Sequence, residues 1–149
     1  MAKASPEEMV AILQAYQDKM AQAEQEGKVR FEQVFASPPP GVAVHEFDTT
    51  ATIRRVNAEE LKILGYESSQ VLGRPVWEFV VMQDASRQSV QKKLAGEKDI
   101  KPFVRTFRTA DGSGVALLLV DRRLQDAQGR PRGIRTAMML LGEAEPPTP

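Results

Sequence analysis

Two runs near the C-terminus, GVALLLVDRRL (114–124) and IRTAMMLL (134–141), carry apolar side chains on both of their faces. Successive side chains of a strand point to opposite sides. Val115, Leu117 and Leu119 therefore share one face, and Ala116, Leu118 and Val120 the other; in the second run Ile134 and Met138 oppose Ala137 and Met139. A sheet with one wet face alternates apolar with polar. These strands need cover on both sides, which excludes a sheet whose second face is left in water.

Helical segments that can supply this cover stand before the strands. Ser5 precedes Pro6, with Glu8 three residues after Ser5, the pattern of a reciprocally capped helix start. Met9, Leu13, Tyr16, Met20 and Ala23 then form one apolar stripe, and Gly27 predicts a break. Phe31, Val34 and Phe35 make a second short face, ended by SPPPG (37–41). GVAVHEF (41–47) and TIRRV (52–56) read as strands of a hairpin around DTTA. NAEELKILGY (57–66) is a helix capped by Asn57 and stopped by Gly65, ESSQVLGRP (67–75) is a further turn, and Asp84 is expected to cap a helix through Leu94. PFVRTFRT (102–109) then precedes the tight turn ADGS, and DAQGRPRG (126–133) separates the two-faced strands. The order of helix, two strands, short helices and three strands is that of an α+β fold with a mainly antiparallel sheet. The internal helices cover one face. The N-terminal stripe, or a second copy of the chain, covers the other, so Met9, Leu13, Tyr16 and Met20 with Leu118 and Met139 are the candidate dimer interface. The stripe is shorter than the heptads of a free-standing coiled coil.

Charge balances at 20 basic and 20 acidic residues, which argues against a nucleic-acid or membrane-surface binder. There is no cysteine, which removes disulfides, thiolate nucleophiles and cysteine–flavin adducts. No apolar run suits a signal peptide or a membrane span, so a cytoplasmic protein is expected. No Ser-His-Asp set, phosphate loop or metal spacing is present, and Glu59 and Glu60 point apart on their helix; no catalytic or metal site and no enzyme activity are expected. His45, the single histidine, has two readings: a haem or metal ligand, or a surface or hydrogen-bonded residue of a strand. Arg122, Arg123, Arg130, Arg132 and Arg135 crowd the last hairpin and read as a solvated edge, or as a docking patch for an acidic partner.

From RFEQVF to AMMLL the chain resembles the PAS domain family of sensor modules. RFEQVFASPPPGVAV is similar to the family's lead-in helix and first strand, VNAEELKILGY to its asparagine-capped helix and glycine–aromatic pair, and SSQVLGRPVWEFV to the following segment with Gly-Arg-Pro. PFVRTFRTADGSGVALLLVDRRLQDAQGRPRGI resembles the three-strand meander with its DG and GR turns. The resemblance implies a five-stranded antiparallel sheet with short helices on one face, in some members enclosing a ligand. It also implies pairing through an N-terminal helix and the outer sheet face, in signalling of the bacterial two-component type. It places a helical extension at 1–36, the PAS-like domain at 37–142 and a disordered tail at 143–149. Trp77, Phe79, Arg105, Phe107 and Leu119 are then the ligand-pocket candidates; the alternative is that the aromatics fill the core and Arg105 lies outside it or pairs with a carboxylate. Haem-binding relatives take their histidine from the long helix, and DASRQSVQKKLAGE has none, so haem is not expected; without cysteine a covalent flavin is out, and nothing in the sequence marks a non-covalent flavin site. Where relatives carry Asp-Ile-Thr and a linker to an effector, this chain reads Leu140, Leu141 and Gly142. The expectation is a PAS-like signalling module without an effector in the chain, acting as a homodimer on a separate signalling protein; a fragment of a longer sensor is the alternative. A module that senses a small molecule in its cavity is the second functional reading.

Overall fold

The computed structural model describes residues 4–143. Helices α1 (Pro6–Glu26) and α2 (Lys28–Phe35) lead into strands β1 (Val42–Phe47) and β2 (Ile53–Val56). Helices α3 (Ala58–Leu64) and α4 (Ser68–Val71), a 3-10 turn at Val76–Phe79 and α5 (Gln83–Leu94) follow, then strands β3 (Phe103–Arg108), β4 (Gly114–Gln125) and β5 (Pro131–Glu143). Glu143 ends β5, and the rest of the expected tail lies outside the described residues.

All pairings in the five-stranded sheet are antiparallel, in the order β2-β1-β5-β4-β3. The two-faced runs are β4 and β5, and β5 is the middle strand. Each face carries its own core. On the inner face Leu117, Leu119, Ile134 and Met138 pack with Leu64, Val71, Val76 and Phe79 from the short helical segments. On the outer face Val42, Val44, Leu118, Val120 and Ala137 pack under Met9, Leu13, Tyr16 and Met20 of α1 and Phe31, Val34 and Phe35 of α2. The chain thus covers its own outer face. Burying Leu13, which is fully inaccessible, contributes about 2 kcal/mol.

Local signals set where these elements begin and stop. The Ser5 hydroxyl accepts from the Glu8 amide at 3.2 Å, and the Glu8 carboxylate accepts from the Ser5 amide at 3.1 Å. Gly27 closes α1 at φ 131°, ψ 166°, a conformation that essentially only glycine adopts. The chain bends there, and the Tyr16 hydroxyl donates to the Val34 carbonyl to hold α2 against α1. One expected cap is corrected. Residue Met82 precedes α5, no side chain caps it, and Asp84 sits inside the first turn. The Val81 amide donates to the Thr106 carbonyl, which fixes where the chain leaves β3 and starts the helix ahead of Asp84.

The hairpin arginines divide: Arg123 and Arg130 are exposed, as a solvated edge expects, whereas Arg135 is not part of that edge. Arg135 is fully buried on the outer face, donating to Glu46 at 2.9 Å and to Glu24 of α1 at 2.6 Å. Arg132 also reaches Glu24 at 2.6 Å, Arg122 pairs with Asp18 of α1, Arg130 pairs with Asp126, and Arg123 donates to the Lys93 carbonyl. The Gln17 amide donates to the carbonyls of Val120 and Arg135. These polar contacts set the position of α1 on the sheet, which the non-directional apolar stripe does not fix.

The register of β5 against β1 depends on one glycine. At Gly133, φ +147°, a Cβ would lie 2.0 Å from the Phe47 carbonyl oxygen. Gly133→Ala is expected to lower stability by about 3 kcal/mol or more, the upper range for a single substitution. A denaturant midpoint equal to that of the wild type would contradict this close approach.

Candidate functional site

A polar row crosses the otherwise apolar inner face. The registers place His45 of β1 opposite Thr136 of β5, and Thr136 opposite Asp121 of β4. Two charged side chains close on this row from the helices. Glu60 of α3 accepts from His45 Nδ1 at 2.8 Å (Oε1) and 3.1 Å (Oε2). The Lys93 ammonium of α5 donates to Asp121 Oδ2 at 2.9 Å and lies 3.6 Å from the centre of the Phe103 ring. The Thr136 hydroxyl donates to the other oxygen of Asp121 at 2.7 Å. His45, Glu60, Lys93 and Thr136 are each at most 3 % exposed.

The chain builds this belt with ordinary capping chemistry. The side-chain oxygen of Asn57 accepts from the Glu60 amide and from the Val44 amide, both at 3.0 Å, and its NH2 donates to the Val42 carbonyl. The cap of α3 is therefore also a clamp on β1, and it sets Glu60 over His45. Lys93 lies on the buried face of α5 with Ser86 and Ser89. That helix seats on the sheet through the Lys93–Asp121 ion pair and through Val90 and Leu94, which are only partly buried against the inner core.

Burial works against a charge on His45, but the carboxylate of Glu60, with Asp121 and Glu46 adding, outweighs it and raises the imidazole pKa. For Lys93 the balance goes the other way. Burial lowers its pKa, the Asp121 carboxylate opposes the shift, and the charges of Lys98 and Arg105 add to it. Breaking a buried pair by removing one partner costs about 3–5 kcal/mol, since the other charge stays buried. The belt thus ties α3 and α5 to three strands.

The structure distributes the expected pocket residues over three places. Arg105 and Leu119 line a narrow space between sheet and α5, together with His45, Lys93, Asp121 and Phe103. That space measures about 30 Å³. Phe107 is buried in the inner core and bridges to Val80, and Trp77 packs at its margin with the Arg87 guanidinium 5.6 Å from its ring centre. Phe79 meets Tyr66 edge-on at 5.1 Å and lines a separate surface groove. Of the interface candidates, Met9, Leu13, Tyr16, Met20 and Leu118 are buried within the chain, and Met139 is partly buried. His45 takes the hydrogen-bonded reading. Among the described residues no group of three His, Cys, Asp or Glu side chains is placed to hold a metal ion.

Glu60, Lys93, Asp121 and Thr136 are the residues that sequence reasoning missed. A signal for Asp121 was present: it has the inward parity of Leu117 and Leu119, so a carboxylate there requires a buried partner.

A raised histidine pKa fixes the sign of a pH effect. The His45–Glu60 contribution is complete below the unfolded value of 6.5 and is lost as pH rises through the raised folded value. The stability advantage of the wild type over His45→Gln should therefore shrink as pH rises above 6.5. Denaturant midpoints measured across that range test this; an advantage that stays flat or grows would contradict it.

Residues 35–143 match the family model described as the PAS fold. The chain is similar to the PAS domain of an HTR-like protein from Haloarcula marismortui, at 28% identity and TM-score 0.63, covering 83% of this chain and 99% of that one. It is also similar to the PAS domain of a Colwellia psychrerythraea protein, at 15% identity and TM-score 0.65 over 77% of this chain and 98% of that one. A sensory box histidine kinase/response regulator from Burkholderia thailandensis is similar at 18% identity and TM-score 0.51, over 68% and 78% of the two chains. No match was found among curated protein sequences. With the matched residues spanning the whole sheet and the polar belt beneath α3 and α5, the chain belongs to the PAS fold family, the sensory and signalling modules.

Proposed function

We propose that this PAS module is a cytoplasmic, non-enzymatic signalling component that works by associating with a second copy of itself and with a separate signalling protein. The observation that carries this reading is how little room is left at the centre of the inner face. About 30 Å³ remains beside Lys93 and Asp121, the room of roughly one water, and a second space of about 120 Å³ lies between the end of α5 and the last hairpin. The Lys93 ammonium reaches into the smaller space and pairs with Asp121, so the protein's own side chain stands where a ligand would bind. A module filled in this way communicates through its surfaces. Among the described residues no helix is long and apolar enough to cross a membrane.

The outer face supports the self-association part. Val42, Met139, Leu118 and Val104 form one row across β1, β5, β4 and β3. Cover by α1 stops at the β3 end: Val42 is 0% exposed, Met139 partly buried and Leu118 6% exposed, whereas Val104 is 53% exposed. Since the α1 stripe is already used within the chain, the proposed contact is the uncovered β3 end of this face.

A small-molecule sensor, holding a metabolite or a non-covalent cofactor, is the second reading. It is favoured by the polar seat of α5: Ser86, Ser89 and Lys93 are the buried residues of that helix. Moving it would part Val90 and Leu94 from the inner core and would open Arg105, Asp121 and His45 to an occupant.

Val104→Glu tests the proposed contact because the side chain is exposed and its loss leaves both cores intact. The wild type should sediment as a dimer, and the variant as a folded monomer with an unchanged circular dichroism spectrum. A monomeric wild type, or a dimer indifferent to the substitution, would contradict the proposed contact.

A further inference from the structure

A surface groove of about 590 Å³ lies between α4, the 3-10 turn and the end of β3. It is separate from the inner space, and it shares no lining residue with it. Its aromatic wall is the edge-on pair Tyr66 and Phe79. Tyr66 donates its hydroxyl to the Arg108 carbonyl at 2.9 Å, which joins α3's exit to the end of β3. Two guanidinium groups and one carboxylate line the groove. Arg74 Nε donates to Glu78 Oε2 at 2.9 Å, so the single carboxylate is matched by a single arginine. Arg108 donates only to the Glu78 backbone carbonyl, at 3.3 Å, and makes no ion pair among the described residues. Its charge is therefore not neutralised locally.

We propose that this groove docks an acidic segment of the partner protein, a carboxylate of the segment pairing with Arg108 and an apolar neighbour beside it. The inference rests on the reading that the module acts through protein partners. A guanidinium is planar, permanently charged and shaped for a carboxylate. Gln70 uses its carbonyl oxygen to cap α4, accepting from the Glu67 amide at 2.9 Å, which leaves its NH2 as a further donor. Exposed apolar side chains flank the lining residues along the chain, Leu72 at 42% and Met82 at 64%. A small anion would use the arginines alone, with water on its open side. A peptide segment uses both the Arg108 charge and the Tyr66–Phe79 wall, which line the groove together.

Fluorescence anisotropy with a fluorescein-labelled peptide of alternating glutamate and leucine tests the assignment, with the matching lysine–leucine peptide as control. Wild-type protein should bind the acidic peptide saturably, and binding should weaken with added salt. The double variant Arg74→Glu, Arg108→Glu, whose side chains are exposed, should bind about tenfold or more weakly. Arg108→Lys should retain part of the affinity. Absence of saturable binding, equal binding by the double variant, or equal binding of the lysine peptide would overturn the proposal. Displacement by citrate as complete as displacement by unlabelled peptide would assign the groove to small anions and overturn it likewise. Val104→Glu should bind the acidic peptide as the wild type does, so failure of the dimer contact and failure of the groove are read separately.

Discussion

The central strands of this sheet are apolar on both faces, and the rest of the structure follows from that constraint. β5 lies in the middle, with β4 and β1 beside it, and each face must be removed from water. The short helices after β2 cover one face, and α1 with α2 covers the other. The N-terminal helix is therefore a structural layer. Without it Val42, Val44, Leu118, Val120 and Ala137 would form a continuous exposed apolar surface.

Polar groups complete each layer in a different way. On the outer face Arg135 is fully buried, and Glu24 and Glu46 hold it, so the docking of α1 depends on charge pairing as well as on the stripe. On the inner face the belt from Glu60 through His45, and from Thr136 through Asp121 to Lys93, joins two helices to three strands. The two faces also differ in how firmly their helices are held. α1 brings a full apolar stripe, whereas α5 buries serines and a lysine. Elements that move in response to binding are drawn from the less apolar, lower-stability parts of a fold.

Much of the architecture was legible in the sequence because it is written locally. The Ser5–Glu8 and Asn57–Glu60 caps, the bend at Gly27, the Asp111-Gly112 turn and the two-faced strands each depend on a few neighbouring residues. The site was less legible because it is made by residues far apart. Lys93 and Asp121 are 28 positions apart and meet only once β4 lies beneath α5. Arg135 read as part of a solvated hairpin because its partner Glu24 is 111 positions away on α1. The five pocket candidates come from the 3-10 turn, β3 and β4, and those elements send them to the cavity, the core and the surface groove. Asp84 failed as a cap for a related reason, since pairing of Val81 with β3 fixed the helix start.

A PAS module can carry its signal in an occupied cavity or on its surface, and here the Lys93–Asp121 pair fills the cavity from within. Native mass spectrometry of the protein as purified tests that account most directly, since it reads subunit number and retained ligand together. The account predicts an assembly of two 16.5 kDa chains with no added mass. A monomer carrying the mass of a bound small molecule would contradict it.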